Sequence, residues 1–140
     1  MKIAICASMM FAKEMKDAAD YLVSQGHQVF LPEFVEDIVS GKQDINKIKE
    51  YAEHADLKIE HNLIRKHWEK MKQSDATLVL NHDRKGVKNY IGGNTFLEMG
   101  FAHVLNLPIY LINPIPEMAY SDEIKAMEPI VLDGDLGRIL

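Results

Sequence analysis

A glutamate one turn inside a helix that opens on two glycines is the feature of this sequence best suited to chemistry. The segment is Gly92-Gly93-Asn94-Thr95-Phe96-Leu97-Glu98-Met99-Gly100-Phe101-Ala102. Its glycines let backbone N–H groups at a helix start approach an anion or a sugar closely. Spacings of four and three residues put Glu98 on the face of Asn94 and Thr95, with apolar Leu97 and Met99 beside it. A carboxylate there can form the floor of a cleft and stabilise or attack an electron-poor carbon. The same residues also read as a capping box, with Thr95 as cap and Glu98 three residues later, which would give Glu98 no chemistry. The local pattern leaves both readings open.

Other residues could complete such a site. Asp83 is the candidate acid/base, with His82 behind it, in the polar stretch Asn81 to Gly93; a solvated loop charge is the competing reading. Ser8 and the backbone of Met9 to Phe11 follow an apolar run and could hold a hydroxyl or a phosphate, or Ser8 caps a helix. Phe11 is a stacking aromatic or a core residue. Asn113, just before Pro114, is a ligand contact or a turn residue. The candidate binding set is therefore Ser8, Met9, Phe11, His82, Gly92, Gly93, Asn94 and Asn113. No metal site is expected: His54, His61 and His67 have no paired-ligand spacing with a Cys or acidic cluster, and Cys6 reads as a small core residue. No cofactor is expected either. The sequence has no Walker pattern, no Gly-x-Gly-x-x-Gly after the first apolar run, and no Ser/Thr/Gly-rich phosphate loop of the FMN-binding kind.

These residues need elements to position them. Lys2 to Ala7, His27 to Leu31, Ala76 to Leu80, Ile109 to Ile112 and Ile130 to Leu132 are short apolar, β-branched runs that read as buried strands. Between them, apolar residues at helical spacing predict helices over Lys13 to Gln25 (stopped by Gly26), Asp44 to His54, Lys58 to Gln73, Asn94 to Leu105 and Ser121 to Met127. The alternation predicts an α/β three-layer sandwich with a mostly parallel five-stranded sheet, flavodoxin/Rossmann-like, as one domain over residues 1–140. Ligands of such sheets bind beyond the carboxyl ends of the strands. The loops Ser8–Phe11, Asn81–Gly93 and Asn113–Met118 are therefore expected to converge.

Composition narrows the partners. The 140 residues are 47% hydrophobic and 26% charged with a net charge of −5, which suits an ordinary globular domain rather than a nucleic-acid polymer binder. A single cysteine forms no internal disulfide, and the apolar opening is too short for a signal peptide, so a cytoplasmic location is expected. No apolar run approaches the roughly 20 residues that span a membrane.

Three segments resemble the nucleoside 2-deoxyribosyltransferase family and its relatives, the 2-deoxynucleoside 5-monophosphate N-glycosidases. They are Ala7-Ser8-Met9-Met10-Phe11, Ser74-Asp75-Ala76-Thr77-Leu78-Val79-Leu80, and Thr95 to Ala102 leading into Leu107-Pro108-Ile109-Tyr110. The resemblance implies cleavage of the N-glycosidic bond of a nucleoside or nucleoside 5-monophosphate, by hydrolysis or base exchange. It puts the nucleophile on Glu98 and implies a homo-oligomer, a dimer or higher, because relatives complete their sites across subunits. The chain departs from the family where Gly92 stands in place of an aspartate and Asn94 in place of a glycine. The Gly-Gly-x-Thr-x-x-Glu arrangement is also similar to phosphoribohydrolases of the lonely-guy family, which cleave a base–sugar bond too. A non-catalytic nucleotide-binding or sensing module on the same fold is the alternative.

Overall fold

The computed structural model describes residues 1–47, 59 and 62–139. Most of the predicted helix Asp44 to His54, and the first residues of the one over Lys58 to Gln73, lie outside them. Five strands, β1 (Lys2–Cys6), β2 (Gln28–Phe30), β3 (Ala76–Val79), β4 (Ile109–Leu111) and β5 (Ile130–Val131), form one all-parallel sheet in the order β2-β1-β3-β4-β5. The helices are α1 (Ala12–Ser24), α2 (Val35–Val39), α3 (Leu63–Lys72), α4 (Gly93–Val104) and α5 (Ser121–Ala126). This is the flavodoxin-like order.

Strand alternation divides the core in two. Ile3 and Ile5 of β1, with Leu78 and Tyr110, point to the face covered by Met15, Ala18 and Leu22 of α1. Ala4 and Cys6, with Val79, Ile109 and Leu111, point to the other face, where Met71 of α3, Met99 and Ala102 of α4 and Ile124 of α5 cover them. Both faces are dry, so the strands read as continuous apolar runs rather than alternating ones. α1 ends where Gly26 adopts φ +89°, a left-handed conformation that glycine enters without penalty.

Two helices differ from the sequence reading. α2 forms where a loop was expected; it follows Phe34, which turns the chain at φ 73°. Of the apolar residues at helical spacing in the predicted helix, Ile59, Leu63, Ile64, Trp68 and Met71, only Met71 is buried, and His67 is buried near it on α3, so the buried stripe is rotated from the apolar one. Tyr120, just before α5, stacks on Phe96 at 4.5 Å and donates its hydroxyl to the Ile91 carbonyl. No helix among the described residues is long and apolar enough to cross a membrane.

Candidate active site

In the order β2-β1-β3-β4-β5 the chain reverses its winding direction between β1 and β3, and the crevice lies beyond the carboxyl ends of those two strands. A cavity of about 360 Å³ occupies this place. The segment after β1 supplies Ala7 to Met10, the segment after β2 supplies Pro32 to Phe34, and the segment after β3 supplies Arg84, Lys85, Tyr90, Gly92 and Gly93. The start of α4 adds Asn94, Thr95 and Glu98, and α3 adds Leu63, Lys66, His67 and Lys70.

Glu98 is 8% exposed, and its side chain reaches this cavity from the second turn of α4. The helix is capped at Gly92, so Thr95 is its third residue and Glu98 lies too far in to bond the free N–H groups. The capping box therefore does not form. Asn94 instead donates Nδ2–H to Glu98 Oε1 at 2.7 Å, along the helical spacing of four residues. On the other side His67 Nε2 lies 3.2 Å from Oε2. Burial, helped by the charge of Lys70, pushes His67 down to about 4. At neutral pH the ring is uncharged, and its contact with the carboxylate is not an ion pair. Behind them Cys6 Sγ lies 3.2 Å from the same nitrogen. Burial first, and then the Glu98 carboxylate, push the Cys6 thiol well up, so it stays protonated.

Of the predicted binding residues, Ser8, Met9, Gly92, Gly93 and Asn94 line the cavity with Glu98. Ser8 caps the short turn Met9–Phe11, its Oγ accepting from the Met10 amide at 3.3 Å, and also accepts from Arg84 Nη1 at 2.7 Å. That bond ties the loop after β3 to the loop after β1. Asp83, His82, Phe11 and Asn113 are not among the described lining residues. Asp83 is exposed, and its Oδ1 accepts the Asn89 amide at 2.9 Å inside its own loop. Phe11 is buried in the core and meets the His82 ring edge-on at 5.3 Å. Asn113 pairs with buried Asn81 instead: its amide donates to Asn81 Oδ1 at 3.0 Å, and its Nδ2 to the Asn81 carbonyl at 3.2 Å. The loop after β4 thus buttresses the site from behind.

Gly92 takes its place for a steric reason. A Cβ there would stand 3.1 Å from Tyr90 Oη and 3.2 Å from its Cε1. Glycine leaves room for the Tyr90 ring at the cavity wall, which would have to give by a few tenths of an ångström to admit a side chain. Arg84 and Lys85 lie over that ring at 5.7 and 5.9 Å from its centroid.

Sequence reasoning missed His67, Cys6, Arg84, Tyr90 and the Pro32–Phe34 segment. The available signals were weak. His67 sits four residues before Met71, on the buried face of α3, and Cys6 has the strand parity of Ala4, which faces α3 and α4.

Fold and cavity define a doubly wound α/β protein with a small-ligand crevice at its switch point and a buried carboxylate on the floor. No protein-family model matches the sequence, and no curated protein matches it at a significant level. Among solved structures, the chain is similar to CMP N-glycosidase BcmB of Clostridium botulinum, with 15% identity, a TM-score of 0.51, and coverage of 94% of this chain and 85% of that one. It is also similar to the 2-deoxyribosyltransferase of Bacillus psychrosaccharolyticus, with 17% identity, a TM-score of 0.49, and coverage of 79% of this chain and 71% of that one. At 15% identity the likeness to the glycosidase speaks to the fold alone.

Proposed function

We propose that this protein is an enzyme that cleaves the N-glycosidic bond of a nucleoside 5-monophosphate or nucleoside, with Glu98 as nucleophile. The observation that carries this reading is the Glu98 carboxylate, buried at the floor of the switch-point cavity and oriented by Asn94. Breaking the bond between base and sugar builds positive charge on the anomeric carbon. Glu98 attacks that carbon as the bond to the base nitrogen breaks. The electron pair leaves with the base, which takes a proton from solvent; water, losing a proton to solvent, or a second base then attacks the same carbon and releases Glu98 as the carboxylate. Asp83 stands outside the cavity lining, so we assign it the shaping of the loop that carries Arg84 and Lys85 rather than the proton path.

Cations favour a phosphorylated substrate. Arg84, Lys85, Lys66 and Lys70 all line the cavity, against Glu33 and Glu98, in a chain whose net charge is −5. Such local positive charge suits the 5-phosphate of a nucleotide. The similar CMP N-glycosidase acts, by its name, on such a nucleotide, which supports this choice.

The test is chromatography of base released from a panel of nucleosides and 5-monophosphates, each with and without a second free base. We expect release, faster from the monophosphates. An exchanged nucleoside would mark a transferase and its absence a hydrolase. Tight nucleotide binding with no base released over hours would overturn the proposal in favour of a sensing module.

A further inference from the structure

Cys6, His67 and Glu98 come from β1, α3 and α4, and each offers one donor atom; the three atoms lie within 4.8 Å of one another. Sγ to Nε2 is 3.2 Å and Nε2 to Oε2 is 3.2 Å. Around a tetrahedral zinc ion, with its usual sulfur, nitrogen and oxygen bond lengths, ligand atoms stand about 3.4 to 3.6 Å apart. Small adjustments of the three side chains would seat a cation between them.

Burial makes the cluster harder to explain without one. The three residues are 0%, 6% and 8% exposed. A single ring nitrogen faces both a sulfur and a carboxylate oxygen, and the Cys6 thiol hydrogen-bonds the same carboxylate, so three potential ligand groups converge on one another. His67 Nδ1 is buried with no hydrogen-bond partner among the described residues. A divalent cation would engage all three groups at once. Its two charges would be balanced by one thiolate and one carboxylate, leaving the buried site neutral overall. His67 and Glu98 line the cavity, while Cys6 is fully buried and outside the described lining, so the fourth coordination position faces the cavity. A donor set of sulfur, imidazole and carboxylate selects zinc-like transition metals over magnesium or calcium, which take oxygen ligands.

We propose that Cys6, His67 and Glu98 bind one thiophilic divalent transition-metal ion of the zinc type. Binding replaces the Cys6 S–H bond with a sulfur–metal bond, and that proton goes to the buffer. His67 ligates through Nε2 with its proton on Nδ1, and Glu98 as the carboxylate; no electron is transferred. One consequence rests on the nucleophile reading of Glu98. The metal occupies the carboxylate that would attack the sugar, so metal binding and turnover exclude each other.

The chain has one cysteine, which makes cobalt(II) an unambiguous probe, since a sulfur-to-cobalt charge-transfer band can come only from Cys6. We expect the full, reduced chain to take up one cobalt with that band and the intense visible bands of a tetrahedral ion. Zinc should displace it and magnesium should not. Cys6→Ser should lose the charge-transfer band and weaken binding by more than about 100-fold, a larger loss than removing an outer-shell partner brings. His67→Gln should keep the band but lose affinity, which guards against a poorly folding Cys6 variant. Cobalt uptake without the thiolate band, or no uptake, overturns the site. In the turnover arm, zinc should stop base release by the wild type and leave Cys6→Ser working. A thiolate band in a chain that releases no base when metal-free keeps the metal site and removes the nucleophile reading. Base release from a chain that shows no band does the reverse.

Discussion

Glu98→Gln is expected to lower base release by about 10³-fold or more while leaving the chain folded. The variant keeps the volume and the amide-compatible contact to Asn94 but removes the charge and the nucleophilic lone pair that the proposed reaction requires. Asn94 Nδ2 still finds an oxygen acceptor, so the stability cost is about 1 to 2 kcal/mol at most. On the proposed reading Arg84 and the lysines hold the phosphate, so the loss is expected to fall on kcat rather than on KM. Equal circular dichroism and a near-wild-type unfolding midpoint, together with lost turnover, are the pattern to look for. Retained turnover would remove Glu98 from the chemistry.

The second large effect lies behind the site. Asn81 is fully buried at the end of β3 and joins two loops. Its Nδ2 donates to the carbonyls of Asn113 and Pro114, each at 3.0 Å, and its Oδ1 accepts the Asn113 amide at 3.0 Å. Asn81→Ala leaves the Asn113 N–H and the Asn113 and Pro114 carbonyls, all in part-buried bonds, without these partners. Each such group costs about 1 to 3 kcal/mol, and some relax to water, so the expected loss is about 2 to 4 kcal/mol. Urea unfolding measures it directly. Because Asn81 begins the loop that carries Arg84 and Tyr90, turnover should fall as well. A loss below about 0.5 kcal/mol would show that the loop after β4 does not buttress the site.

The five strands and their parallel arrangement were legible because each is a short apolar run with a β-branched residue, dry in β1, β3 and β4, and such runs alternate with helical periodicity. Gly26 and the glycine pair before α4 were legible as punctuation for the same local reason. α2 was not, because five residues carry too little periodicity to distinguish a helix from a loop. Glu98 stood out through its neighbours in sequence. Its partners Cys6 and His67 did not, because the sheet and α3 bring them together across long separations that leave no spacing to read. The convergence of the loops after β1 and β3 followed from strand order. The place of the third loop did not: Asn113 turns inward to Asn81, while the segment after β2 and the buried face of α3 complete the wall. The Asn81–Asn113 pairing depends on side-chain geometry that residue type alone does not encode.

The most direct test of the central claim is peptide mass spectrometry of the chain quenched during reaction with a 2-fluoro-substituted nucleoside 5-monophosphate. The electronegative substituent slows hydrolysis of a glycosyl ester and lets it accumulate. The account predicts one sugar-phosphate adduct on the peptide containing Glu98, formed as base is released and missing from Glu98→Gln. Base release with the adduct on another residue, or with no adduct and an inverted anomeric product, would contradict it.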